Sequence, residues 1–187
     1  DCTLQRRHQK LIELAPAPDL DDDLRAALLD GAVAMGQASG YRGLGTVEFL
    51  VSTEGDGAFH FIEVNPRLQV EHTVTEAVTG LDLVALQLRI ADGAHLADLG
   101  LGDGAQVPVG MAAQLRINAE TYGRGGEARP ASGRLTRFDP PRGAGLRTDT
   151  HGAVGYAPHP GFDSLLAKLV VHEPSADLGA LLNRARA

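Results

Sequence analysis

The sequence has no tryptophan and one cysteine, Cys2. A lone cysteine excludes an internal disulfide and fits a reducing, cytoplasmic compartment; it reads as an ordinary thiol rather than a nucleophile. No apolar run is long enough for a membrane span, and no signal peptide is visible. Positive charge is in short supply. The 17 Lys and Arg residues against 24 Asp and Glu give a net charge of −7, which argues against a nucleic-acid groove. The basic cluster Gln5-Arg6-Arg7-His8-Gln9-Lys10 is local and reads as a solvated strand or turn. His60, His72, His95, His151, His159 and His172 lack metal-ligand spacing. There is no internal repeat and no low-complexity tract. What remains is a globular composition, 43% hydrophobic and 22% charged over 187 residues. Such a chain buries about 70% of its unfolded surface, as one domain or one and a half. It starts at Asp1 and stops at Ala187 inside a helical pattern (Leu178, Leu181, Leu182, Ala185). Both ends read as cut, so a piece of a longer protein is expected.

The densest information lies between residues 63 and 71. Glu63, Asn65, Arg67, Gln69 and Glu71 alternate with Val64, Pro66, Leu68 and Val70. In an extended chain, residues two apart share a face. One face would then carry carboxylate, amide, guanidinium, amide and carboxylate. A carboxylate and an amide can hold a hard cation through oxygen. The guanidinium can hold an oxyanion with parallel hydrogen bonds, and the last carboxylate can take a proton. Metal, anion and base on one face suit phosphoryl or carboxyl transfer. A half-buried edge strand shows the same alternation with no chemistry at all. Two features favour the functional reading. Phe59, Phe61 and Ile62 start the run as a core strand, and Pro66 cannot donate to a ladder, so regular pairing should fail there.

Along the rest of the chain, residues 2–14 read as a strand with a basic face. Asp19 or Asp21 caps a helix through Leu24, Leu28, Gly31 and Met35, stopped by Gly40. Residues 44–53 and 58–65 read as a hairpin joined by Glu54-Gly55-Asp56-Gly57. Thr73-Val74-Thr75-Glu76 predicts a capping box and a helix from Thr73 to Gly80. Asp82 caps another to about Ala91, closed by Gly93. A Gly-rich acidic loop over 93–108 is the candidate boundary. Short strands follow at 111–118, 133–138, 146–148 and 165–172. Gly123, Gly125 and Gly126 are spaced for a flexible turn, not a phosphate loop.

The stretch Phe61-Ile62-Glu63-Val64-Asn65-Pro66-Arg67-Leu68 resembles the metal-binding signature of ATP-grasp ligases of the carbamoyl-phosphate synthase and biotin carboxylase group. The continuation Gln69-Val70-Glu71-His72-Thr73-Val74-Thr75-Glu76 resembles biotin carboxylase specifically. So do Asp1-Cys2-Thr3-Leu4-Gln5-Arg6-Arg7-His8-Gln9-Lys10-Leu11, Gly45-Thr46-Val47-Glu48-Phe49 and Arg116-Ile117-Asn118-Ala119-Glu120. These motifs run in order through nearly the whole chain.

The resemblance implies an α+β fold: the C-terminal part of an ATP-grasp domain over residues 1–109, then a truncated biotin carboxylase C-terminal domain over 110–187. It implies ATP-dependent carboxylation of biotin by bicarbonate through carboxyphosphate, with phosphate available as a second base. Glu48 and Glu63 match two carboxylates that bind Mg2+ (or Mn2+) on ATP, and Asn65 matches their amide partner. Gln5 and His8 match positions near the nucleotide. Lys10, Arg67, Gln69, Val70 and Arg116 match the bicarbonate pocket, Val70 through its backbone. Glu71 matches the general base. Arg116 matches the group that stabilises the enolate-like biotin ureido, a fixed cation where negative charge develops. His72 reads as helix-entry packing, and Asp163 as architectural.

The family's upstream α/β domain and glycine-rich lid have no counterpart in these residues. Alone, the chain is expected to bind ATP weakly and turn over little. The implied partners are ATP, bicarbonate, a biotin carrier domain that bears the biotin, and a carboxyltransferase, with no nucleic acid and no membrane. A homo-oligomer is compatible, although Ala144 and Gly145 stand where many bacterial members carry an aromatic residue in a dimer contact. The wording of the central motif leans toward pyruvate carboxylase and long single-chain acyl-CoA carboxylases. Two rivals remain: an ATP-grasp ligase that activates bicarbonate for ammonia, as carbamoyl-phosphate synthase does, and a non-catalytic assembly fragment. The Gln69–Glu71 triplet and Arg116 argue against the first, and the intact set of site residues argues against decay.

Overall fold

A computed structural model describes every residue except Asp56, Asp103 and Ala105. The chain divides into two compact units. One contains Asp1–Pro16 and Pro108–Ala187; the other contains Ala17–Val107. The second crossing, at 107/108, lies beside the expected boundary at 109/110. The first 16 residues join the later unit, because their strands pair there.

That unit is built on a five-stranded antiparallel sheet. β1 (Leu4–Arg6), β2 (Gln9–Ala15), β5 (Met111–Asn118), β9 (Leu165–Glu173) and β8 (Leu146–Thr150) lie side by side in that order. One face is apolar. Leu14, Met111, Ala113 and Val171 pack with Leu181 of α4 (Leu178–Arg186), flanked by Ile12, Leu115, Leu146, Leu169 and Leu178. Asp177 caps α4, accepting from Gly179 N at 2.7 Å and Ala180 N at 3.2 Å. Gly145 sits at φ +72, and a Cβ there would lie 2.6 Å from His172 O. An aromatic side chain at this position would therefore require the backbone to move. A small hairpin, β6 (Glu120–Tyr122) with β7 (Ala128–Pro130), was not expected from the sequence.

The predicted single strand over residues 2–14 is in fact a hairpin with two irregularities. Arg7 and His8 form its two-residue tip, both with positive φ (49° and 66°), as a primed turn requires. Leu4 pairs with Ile12 but Gln5 pairs with Lys10, so Leu11 is an extra, bulged residue. The predicted strand over 133–138 does not form. Leu135 donates to Tyr156 O and accepts from Gly155 N, but no ladder follows from these two bonds.

In the other unit, Asp21 caps α1 (Asp22–Ser39), accepting from Asp23 N and Leu24 N, and Gly40 ends it in the left-handed region. β3 (Thr46–Val51) and β4 (Phe59–Asn65) form the expected antiparallel hairpin. Asp56 of the expected linking turn lies outside the described residues. Phe49 meets Phe59 and Phe61 edge-on at 5.5 and 6.3 Å. α2 (His72–Thr79) and α3 (Leu83–Ala91) follow, burying Val74, Val78, Leu86 and Ile90. The capping reading at Thr73 needs correction. The helix begins one residue earlier, with Glu71 at the cap position and no side-chain capping bond. Glu76 Oε1 instead accepts from Leu83 N at 2.8 Å, helping Asp82 to start the next helix.

Candidate active site

The sequence-predicted residues fall into two groups, one in each unit. In the second unit, β3 and β4 set Glu48 and Glu63 directly opposite each other. Two residues on, Asn65 Nδ2 donates to Glu63 Oε1 at 2.7 Å and reaches Glu48 Oε1 at 3.3 Å. Gln69 Nε2 donates to Glu48 Oε1 at 2.7 Å. Two carboxylates and two amides thus converge from two strands and a loop.

The extended run stops at Asn65, as Pro66 implied. Arg67 N turns back to Asn65 O at 2.7 Å, and the chain enters α2 through a turn at Val70 and Glu71. The expectation of one continuous face from Glu63 to Glu71 is therefore corrected: the strand supplies Glu63 and Asn65, and the loop supplies the rest. Arg67 is exposed, with Nη1 donating to Leu68 O at 3.1 Å. Val70 and Glu71 are half-buried. His72 begins α2, its Nδ1 lying 2.8 Å from Gln69 O, in keeping with a helix-entry role. Gln69 Oε1 is buried without a hydrogen-bond partner. Such an atom costs free energy unless a ligand or water supplies a donor.

The chemistry of Glu48, Glu63 and Asn65 fits magnesium, which takes one or two carboxylates and completes its shell with water and phosphate. Among the described residues there is no group of three His, Cys, Asp or Glu side chains placed to hold a metal. The candidate set has two carboxylates and an amide, a thinner cage that leaves positions for phosphate oxygens. Asn65 now offers its NH2 to both carboxylates, so ligation through Oδ1 would require the amide to turn over.

In the first unit the pleat collects a polar face opposite the apolar one. Glu13 pairs with Gln114, Arg116 with Lys168, and Lys168 with Asp149. The bulge at Leu11 changes the parity of β2, so Gln5 and Lys10 join the face that carries Glu13. Arg116 donates through Nε to Glu13 Oε1 at 2.6 Å, with Nη2 at 2.5 Å from the same oxygen. Gln114 Nε2 donates to Glu13 Oε2 at 2.8 Å. Glu13 and Gln114 are both 0% exposed. Lys168 Nζ lies 3.5 Å from Asp149 Oδ2. Burial raises the Asp149 pKa, but the hydrogen bond and charge of Arg147, with Lys168, outweigh it and hold the carboxyl below its usual range. Gln5 Nε2 donates to Cys2 O at 3.0 Å, and His8 is exposed at the hairpin tip. Asp163 Oδ1 accepts from Leu165 N at 2.9 Å, shaping the turn into β9.

Sequence reasoning missed Glu13, Gln114 and Lys168. The available signal was a charged residue inside the apolar strand Leu11-Ile12-Glu13-Leu14.

Two family models cover the chain in order. The carbamoyl-phosphate synthase L chain ATP-binding domain matches residues 1–99, and the biotin carboxylase C-terminal domain matches residues 114–186. The chain belongs to the biotin carboxylase family. It is 46% identical to a biotin carboxylase of Nostoc sp. over 184 residues, 98% of this chain and 39% of that protein. It is 45% identical to human mitochondrial pyruvate carboxylase over 173 residues, 92% of this chain and 14% of that protein. A solved single-chain, multi-domain long-chain acyl-CoA carboxylase superposes with a TM-score of 0.93 at 49% identity, covering 99% of this chain and 19% of that one. The biotin carboxylase domain of a thermophilic 2-oxoglutarate carboxylase, bound to bicarbonate, superposes with a TM-score of 0.87 at 37% identity, covering all of this chain and 40% of that one. The chain thus spans well under half the length of these relatives.

Proposed function

We propose that this chain carries the metal and bicarbonate face of an ATP-dependent biotin carboxylase that serves a multidomain acyl-CoA or pyruvate carboxylase. The supporting observation is the rung of Glu48 and Glu63, bridged by Asn65 and backed by Gln69 with its unpartnered buried Oε1. Magnesium bound there would neutralise charge on the phosphates of ATP. In this reading Glu48, Glu63 and Asn65 hold the cation, and Gln5 and His8 lie toward the nucleotide. Arg67 grips bicarbonate with its planar fork, while Lys10 acts as a point charge. Val70 contributes backbone. Gln69 Oε1 needs a donor, and bicarbonate carries one O–H. Glu71 removes the bicarbonate proton as its oxygen attacks the terminal phosphorus of ATP and ADP leaves. The resulting carboxyphosphate breaks down to carbon dioxide and phosphate. Arg116 stabilises the negative charge on the biotin ureido oxygen as the ring nitrogen gives its proton to the released phosphate and captures the carbon dioxide.

Biotin reaches the site on a carrier domain, and carboxybiotin is consumed at a carboxyltransferase. Among the described residues no helix is long and apolar enough to cross a membrane; we place the protein in the cytoplasm. The test is ADP release by the longest native polypeptide carrying this sequence, with and without bicarbonate and biotin. Release that needs bicarbonate and rises with biotin supports the reading. Release driven by ammonia and indifferent to biotin moves the protein to the carbamoyl-phosphate class and removes the role given to Arg116.

A further inference from the structure

We propose that Glu13 is a positioning residue that fixes the orientation of the Arg116 guanidinium, and that Gln114 holds Glu13 in turn. The inference rests on the reading that Arg116 serves the biotin half-reaction. Glu13 is fully buried, and both its oxygens are committed, Oε1 to Nε and Nη2 of Arg116 and Oε2 to Gln114. Two strands set this geometry. Glu13 and Gln114 face each other across β2 and β5, and Arg116 stands two residues further along the same face.

Stability alone does not explain the arrangement. A buried ion pair is generally no more stabilising than apolar side chains of similar volume, whereas its loss of one partner is severe. Val170, the β9 neighbour of Gln114, shows that an apolar side chain packs on this rung. Orientation is the better account. Lys168 faces Arg116 across the β5–β9 ladder, and like charges directly opposite repel. Glu13 holds one cation and Asp149 the other, so carboxylate, cation, cation and carboxylate follow one another across β2, β5, β9 and β8. Without Glu13, repulsion from Lys168 would swing Arg116 away. Contact through Nε and Nη2 also fixes the plane of the fork, which a point charge could not do.

The test uses the longest native polypeptide carrying this sequence, as wild type, E13Q, E13D, R116K and the E13Q/R116K double variant. Bicarbonate-dependent ADP release and carboxylation of free biotin are measured separately. The rate at which phenylglyoxal modifies Arg116 is followed by peptide mass spectrometry. E13Q is expected to slow biotin carboxylation on the order of a hundredfold, with little change in ADP release. E13D should recover part of the loss. The double variant should match R116K alone, because Glu13 acts only through Arg116. Phenylglyoxal should reach Arg116 faster in E13Q than in wild type. Multiplying effects in the double variant, equal loss of both activities, or an unchanged modification rate would overturn the proposal. If E13Q does not fold, Gln114→Met loosens Glu13 from its other side and should shift the same readouts in the same direction. If the wild type fails to carboxylate biotin, the functional reading falls, and the modification rate alone decides whether Glu13 positions Arg116.

Discussion

Glu48 and Glu63 occupy the same rung of the β3–β4 ladder, two carboxylates facing each other with the Asn65 amide between them. Like charges on one rung repel, so the pair is costly until a cation joins it. Glu63→Gln should therefore stabilise the protein in chelator by roughly 0.2–1 kcal/mol. The same change should weaken magnesium-nucleotide binding. Thermal melts in chelator and calorimetry with nucleotide read the two effects. Unchanged nucleotide affinity would remove Glu63 from the metal shell.

Arg116→Ala strands the buried Glu13 carboxylate and should cost about 3–5 kcal/mol in chemical denaturation. Glu13→Leu combined with Arg116→Met should recover most of that loss, because no charge is then left alone in the sheet. Assayed at a temperature where it remains folded, Arg116→Ala should lose biotin carboxylation and keep much of its bicarbonate-dependent ATP cleavage. Parallel loss of both activities would contradict a role confined to biotin.

Gln69→Leu removes an acceptor that has no partner along with a hydrogen bond to Glu48. The two effects oppose, so stability should move by less than about 1 kcal/mol. The KM for bicarbonate should rise while nucleotide affinity holds. A bicarbonate KM equal to wild type would show that the orphan oxygen serves another ligand.

Asp149 titrates below its ordinary value of 3.8, because Arg147 and Lys168 outweigh the effect of burial. Its folded pKa is depressed, so the stability it contributes is full above the unfolded value. That stability is lost as pH falls through the lower, folded value. Asp149→Asn should be less stable than wild type near neutrality, and the gap should close in acid. Denaturation midpoints taken from neutral pH downward check this, and a gap that does not depend on pH would refute it.

Much of the second unit was legible because its signals are local. Asp21 and Gly40 mark the ends of α1 by capping chemistry, and the β3–β4 hairpin follows from alternation flanking a glycine-rich link. Glu63 and Asn65 stood out because they lie two apart on a real strand, whereas Glu48, their cross-strand neighbour, was singled out only through the family resemblance. Pro66 announced the end of the ladder, but Arg67, Gln69 and Glu71 were placed on the face of Glu63 because alternation continues in the sequence after the ladder has stopped. The cluster of Glu13, Gln114 and Arg116 escaped because it joins residues about a hundred positions apart. Nothing near Glu13 announces its partner. The failure of 133–138 to form a strand is of the same kind, since Leu135 finds one backbone partner segment and its neighbours find no ladder.

The bulge at Leu11 makes the length of the first hairpin a variable separate from its composition. In most surface turns, a one-residue insertion merely lengthens the connection. One residue inserted between Leu4 and Gln5, opposite Leu11, would restore a regular β1–β2 ladder and carry Gln5 and Lys10 to the apolar face, against Ile12 and Leu115. The gain would look like a harmless extension of a surface hairpin, yet it would turn two polar side chains into the core. A lengthened first strand in a descendant of this sequence would therefore mark a protein that had given up whatever Gln5 and Lys10 do.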